Sequence, residues 1–89
     1  MITHNTYFNN TVQSLGFVQA DGTKATAGVL LPGEYTFNTN DEEHMQVVSG
    51  ACTMNEKIMH PGETYVAPAK TALKIVATES VAYLCTYHS

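Results

Sequence analysis

Eight turn signals divide this chain of 89 residues into short segments, and their spacing limits the fold more than any other feature. They are Asp21-Gly22, Pro32-Gly33, the polar run Asn38 to Glu42, Gly50, Asn55-Glu56, Pro61-Gly62, Pro68-Ala69, and Thr78 to Ser80. The segments between them are rich in Val, Tyr, Thr and Phe, the pattern of many short antiparallel strands. No window of about a dozen residues keeps a helical period, and Gly or Pro interrupts most candidate helices. Each Pro-Gly pair suits the centre of a type II turn and predicts a sharp reversal that opens a strand, at Glu34 and at Glu63. In VAYLCTY, alternation puts Val81, Tyr83, Cys85 and Tyr87 on one face and Ala82, Leu84 and Thr86 on the other. Both faces are semi-apolar, as in a sandwich or closed barrel. The simplest architecture is an all-β single domain over residues 1–89, one small antiparallel β-barrel.

A chain this short buries only about 60–65% of its unfolded surface, so its core is thin and pairing with a second copy predicts a homodimer. With 44% apolar and 13% charged residues it lies outside the disordered range. The net charge is −4 and all 4 cations are lysines, Lys24, Lys57, Lys70 and Lys74, so no basic stripe for a nucleic-acid polymer can form. The opening MITHNTYFNN lacks a signal-peptide pattern, and no apolar run approaches the ~20 residues that span a bilayer. A cytoplasmic protein with no membrane partner is expected. In that compartment Cys52 and Cys85, which form no CxxC pair, are free thiols that pack in the interior. A nucleophilic role would need a base beside one of them to lower its pKa.

The stretch GEYTFNTNDEEHMQVVSG, residues 33–50, is spaced like the first signature of the cupin family, in which glycine, two histidines, glutamate and glycine follow one another at set intervals. Glu43 and Gly50 match its second half. The histidine positions fall on Thr36 and Asn38 or on Phe37 and Thr39, and neither choice supplies an imidazole. In the second cupin signature Gly62 and Pro68 keep the spacing, while Lys70 stands where glycine is usual and Leu73 where histidine is required. A first-row metal needs three or four converging N, O or S ligands, so no metal is expected. The chain's histidines do not restore one. His4 and His88 sit near the termini, His60 precedes a turn, and His44 follows Glu43 on a strand and so points to the opposite face.

The segments TYFNNTVQSLGF, ATAGVLLPGEYTFNT, EEHMQVVSGA and SVAYLCTY, in that order, resemble the small cupins of the pyrimidine/purine nucleoside phosphorylase family over most of the chain. The resemblance implies a metal-free cupin homodimer without an organic cofactor, in which inorganic phosphate cleaves purine and pyrimidine ribonucleosides to free base and ribose 1-phosphate. This chain departs from the family in having Lys24 where arginine is usual, His44 where glutamate is usual, a shorter hairpin between residues 51 and 62, and YVAPAK in place of a glycine-bearing segment.

Glycosyl transfer develops positive charge on the sugar, and an anion is needed to stabilise it and to hold ribose hydroxyls. Glu43 is the candidate catalytic residue, aimed at the interior by analogy with the cupin signature; the alternative is a solvated loop charge beside Asp41 and Glu42. For phosphate, Lys24 matches the family's basic position, and Lys70 with Lys74, four apart and on one face of a regular strand, form a second pair. For the base, the flat apolar surfaces are Tyr35 and Phe37 on one strand face, with Tyr65 and Tyr83 on other strands. A non-catalytic cupin module that binds a sugar or nucleotide is the competing reading, followed by a metal-dependent cupin enzyme whose site the spacing conceals.

Overall fold

The computed structural model describes residues 1–89 as ten β-strands without a helix. In chain order they are β1 (Thr3–Tyr7), β2 (Val12–Val18), β3 (Lys24–Leu30), β4 (Gly33–Asn38), β5 (Glu42–Ser49), β6 (Cys52–Met54), β7 (Lys57–Met59), β8 (Thr64–Ala67), β9 (Ala72–Ala77) and β10 (Val81–His88). No helix is long and apolar enough to cross a membrane.

The ladders form two sheets, a six-stranded one in the order β1-β2-β3-β10-β5-β8 and a four-stranded one in the order β4-β9-β6-β7. They do not join into the closed barrel expected from the sequence. The reason is visible at Pro32-Gly33, where no type II turn forms: Gly33 has a nearly extended φ of 156° and already belongs to β4. β3 and β4 lie in different sheets, so this dipeptide is a corner between layers and not a hairpin. Pro61-Gly62 does form the reversal, with Gly62 at φ 91° and Glu63 N–H donating to the His60 carbonyl at 3.0 Å. Asn55 and Glu56, at φ 48° and 70°, make the two-residue turn joining β6 to β7.

β10 is paired on both sides, with β3 and with β5. Its inward row is Val81, Tyr83 and Cys85, all buried, followed by half-buried Tyr87, as alternation predicts. Against these pack Met45 and Val47 of β5, Leu30 of β3, and Leu73 and Ile75 of β9, forming one core between the sheets. β5 carries an irregularity at Val48: Ala82 pairs with Ser49 but Tyr83 with Val47. The extra residue is the mark of a bulge.

The loop from β4 to β5 crosses between the sheets and is tied down by buried Thr39. Its hydroxyl donates to the Pro68 carbonyl at 2.7 Å and accepts from Thr71 N–H at 3.0 Å, while Thr39 N–H donates to the Thr71 carbonyl at 2.9 Å. These bonds hold the loop against residues 68–71, where Lys70 lies in the left-handed region at φ 58°. That backbone explains why glycine is usual there. It also corrects the pairing of Lys70 with Lys74: Lys70 is in the turn and only Lys74 is in β9, so no regular strand presents them on one face.

Gly50, the closing glycine of the first signature, has φ 79°, and a Cβ there would stand 2.3 Å from the Ser80 carbonyl oxygen. Gly22 is at φ 89° with nothing within 4 Å of a Cβ. Gly22→Ala therefore meets backbone strain alone, about 1–2 kcal/mol, while Gly50→Ala must also move a backbone and is expected to cost at least ~2 kcal/mol more. Denaturant unfolding of the two variants checks this; equal losses would contradict the account of Gly50.

Candidate functional site

One end of the space between the sheets is open, leaving a cavity of about 270 Å³. Its floor is apolar, made by Leu30, Met45, Leu73 and Ile75. Its walls are Phe37, Tyr83, Cys85 and Tyr87 with the hydroxyls of Ser14 and Thr26, and its rim is Tyr7, Asn38, Asn40 and Asp41. One carboxylate enters it. Glu43 shares the inward row of β5 with buried Met45 and Val47, whereas Glu42 and His44 follow the opposite parity of that strand. Glu42 Oε2 and His44 Nε2 meet at 2.8 Å, and the His44 ring stacks on His88 at 4.0 Å.

Burial raises the Glu43 pKa above the ordinary 4.5, the Cys85 thiol works against that rise, and the charge of Asp41 adds to it. Cys85 Sγ donates to Glu43 Oε1 at 3.4 Å. Desolvation pushes the Cys85 thiol up to about 12 and the Tyr83 phenol to about 12, and also raises that of Tyr87. All three therefore stay protonated at neutral pH, so Cys85 is not an activated nucleophile. Tyr87 Oη lies 3.1 Å from Thr26 Oγ1. Gly28 makes room for Tyr83, since a Cβ there would stand 2.5 Å from its Oη.

The residues at the cupin metal positions line this same cavity. Phe37 and Leu73 are direct cross-strand partners in β4 and β9, and both border the space that Glu43 enters. Phe37 shares its strand face with buried Tyr35 and, one step beyond β4, Thr39, so the two-residue register that places non-ligands at Phe37 and Thr39 is the inward one. The side chains present do not fit a first-row cation, for no three of His, Cys, Asp and Glu converge.

Of the residues predicted from sequence, the structure brings Glu43, Phe37 and Tyr83 together. Tyr35 lies in the core with its hydroxyl donating to the Leu31 carbonyl at 2.7 Å, and Tyr65 packs against the core and accepts from Asn55 Nδ2 at 3.1 Å; neither borders the cavity. Lys74 faces away, with Nζ 3.5 Å from Glu34 Oε1, and Lys70 is exposed in its turn. Lys24 is exposed at the start of β3, one residue beyond the Ala25–Thr86 pair and on the strand face of Thr26. It does not border the cavity. Sequence reasoning did not select Tyr7, Ser14, Thr26, Asn38, Asn40, Asp41, Cys85 and Tyr87 as site residues. The alternation that put Cys85 and Tyr87 on the face of Tyr83 was the signal that could have found two of them. Tyr7 enters through aromatic packing, edge-on to Phe37 at 5.9 Å, which a turn sequence does not encode.

Solved structures with this architecture include a protein of unknown function from Vibrio parahaemolyticus, 36% identical over 99% of both chains with a TM-score of 0.88. A second, of unknown function from Acinetobacter sp., is 29% identical over 99% of this chain and 91% of its own, with a TM-score of 0.89. The DMSP lyase of Ruegeria pomeroyi, 11% identical, shares the fold over 99% of this chain and 56% of its own at a TM-score of 0.81. The architecture is thus an all-β, cupin-like one. The family model described as pyrimidine/purine nucleoside phosphorylase matches residues 2–87, and the chain belongs to that family.

Proposed function

We propose that the chain is a cytoplasmic nucleoside phosphorylase acting on purine and pyrimidine ribonucleosides. A phosphate oxygen forms a bond to C1′ as the C1′–N bond breaks, its electron pair leaving with the base, which takes up a proton; the products are free base and ribose 1-phosphate. The observation that carries this reading is a half-buried carboxylate, Glu43, on the wall of an aromatic cavity. In such a place a negative charge is partly desolvated and acts strongly on a cationic sugar. Glu43 accepts ribose hydroxyls and stabilises the transition state; Phe37, Tyr83 and Tyr87 offer ring faces to any base, which supports broad tolerance. The cavity is slightly smaller than the roughly 300–1,000 Å³ usual for small-molecule sites, and its open mouth leaves room for phosphate outside.

None of the lysines borders the cavity; Lys24, at the start of β3 and two residues before the cavity-lining Thr26, is the proposed phosphate ligand. The same observation favours a second reading, a module that binds a neutral nucleoside or sugar without cleaving it. Incubation with a panel of nucleosides, with and without phosphate, separates the two: base release that depends on phosphate supports the enzyme, and binding without release supports the module. Because the donor set does not fit a metal, activity is proposed to survive chelation.

The outer face of the six-stranded sheet is apolar as well. Leu15, Ala27 and Leu84 form one cross-strand row and Val29 with Ala82 the next, over a groove of about 830 Å³ that no charged side chain lines. A second copy apposing this face would cover it and enlarge a thin core. Sedimentation should give twice the 9.7 kDa chain mass, and Val29→Asp should give a monomer; a wild-type protein that sediments as a single chain contradicts the homodimer.

Glu43→Gln preserves shape and removes charge, and is expected to lower kcat about 10²- to 10³-fold with little change in nucleoside KM. Since the working form is the carboxylate and burial raises its pKa, wild-type activity should fall as pH drops through a value above 4.5. A normal kcat in Glu43→Gln would remove this residue from the mechanism. Lys24→Ala should raise the KM for phosphate selectively; a rise confined to nucleoside KM would assign Lys24 elsewhere.

A further inference from the structure

Cys85 is 1% exposed, and its Sγ–Oε1 contact of 3.4 Å is the one side-chain hydrogen bond that the Glu43 carboxylate receives. The contact is built by the sheet. β10 and β5 pair Cys85 with Met45 and Tyr87 with Glu43, so Cys85 and Glu43 are diagonal neighbours on the inward face. A second acceptor for the thiol, the Thr86 carbonyl, is at 4.0 Å. We propose that Cys85 is a positioning residue for Glu43, its S–H holding one carboxylate oxygen and leaving the other to meet a ribose hydroxyl. This rests on the phosphorylase reading of the cavity.

The chemistry of the thiol suits the task. Burial keeps it protonated, so it is a donor at every working pH and does not compete as a thiolate. A thiol is a weak donor, so it orients the carboxylate without taking up much of its charge, which the cationic sugar requires. The groups facing Glu43 explain why a donor matters. Asp41 from the β4–β5 loop raises its pKa, Tyr83 and Tyr87 on β10 are neutral, Tyr7 stands at the rim, the β8 partner is the apolar Ala67, and no lysine borders the cavity. Without the S–H, burial and Asp41 act on Glu43 unopposed.

The test compares Cys85→Ala, which deletes the donor, with Cys85→Ser, which keeps one. The Glu43 carboxyl is titrated by carbon-13 NMR in both variants and in the wild type. The titration of Cys85→Ala should move to higher pH by roughly half a unit, about threefold in protonation, while Cys85→Ser stays at or below the wild-type midpoint. In phosphorolysis assays kcat should fall in Cys85→Ala and recover in Cys85→Ser, with nucleoside KM little changed. A packing role would impair both variants alike and move neither titration. Equal midpoints in all three proteins, or equal shifts in both variants, would overturn the proposal. The infrared S–H stretch gives a check that needs no change at Cys85: with Cys52 as internal reference, Glu43→Gln should shift one thiol band toward weaker hydrogen bonding, and an unmoved spectrum would count against the contact. NMR and infrared shifts in a protein that releases no base would overturn the enzyme while retaining the Cys85–Glu43 bond. Base release without those shifts would do the reverse.

Discussion

Strand β10 is held on both sides, by β3 and by β5, and the rest of the molecule is arranged around its inward row. Because side chains alternate across a strand, Val81, Tyr83, Cys85 and Tyr87 run in sequence from the sealed core to the open cavity. The same alternation on β5 carries Glu43 inward beside Met45 and turns His44 and Glu42 outward. One strand pairing therefore sets which carboxylate is desolvated, which thiol meets it, and which phenols form the wall. A one-residue slip would exchange every one of these for its outward neighbour.

The cupin signatures survive here as backbone requirements and cavity walls without a metal-ligand set. Gly50 is needed because the Ser80 carbonyl occupies the space of a side chain, and Lys70 occupies a left-handed position that glycine fills more easily. Phe37 and Leu73 face one another across β4 and β9 where cupins place imidazoles. Apolar side chains at those points turn a coordination pocket into a surface suited to a flat base, with the signature glutamate left as its only half-buried charge. This is how a metal-type scaffold can support electrostatic chemistry on a sugar.

Turn spacing and alternation made the all-β class, the Pro61-Gly62 reversal and the inward face of β10 legible in the sequence. The packing of two open sheets was not, because Pro32-Gly33 reads locally as a turn whether it closes a hairpin or bridges two layers. Tyr35 and Phe37 share a strand face, yet only Phe37 reaches the cavity, since Tyr35 meets the Leu31 carbonyl and closes the core. Lys70 and Lys74 were separated by the point at which β9 begins, the kind of boundary that sequence locates poorly. Cys85 was readable as buried; its contact with Glu43 depends on the registry of two strands far apart in sequence.

The most direct test of the account is the position of a bound nucleoside in a crystal grown without phosphate. The account predicts ribose hydroxyls within hydrogen-bond reach of Glu43, on the oxygen not held by Cys85, and the base against Phe37, Tyr83 or Tyr87. A nucleoside seated instead in the outer groove along Leu15 and Val29, with the space beside Glu43 filled only by water, would contradict it.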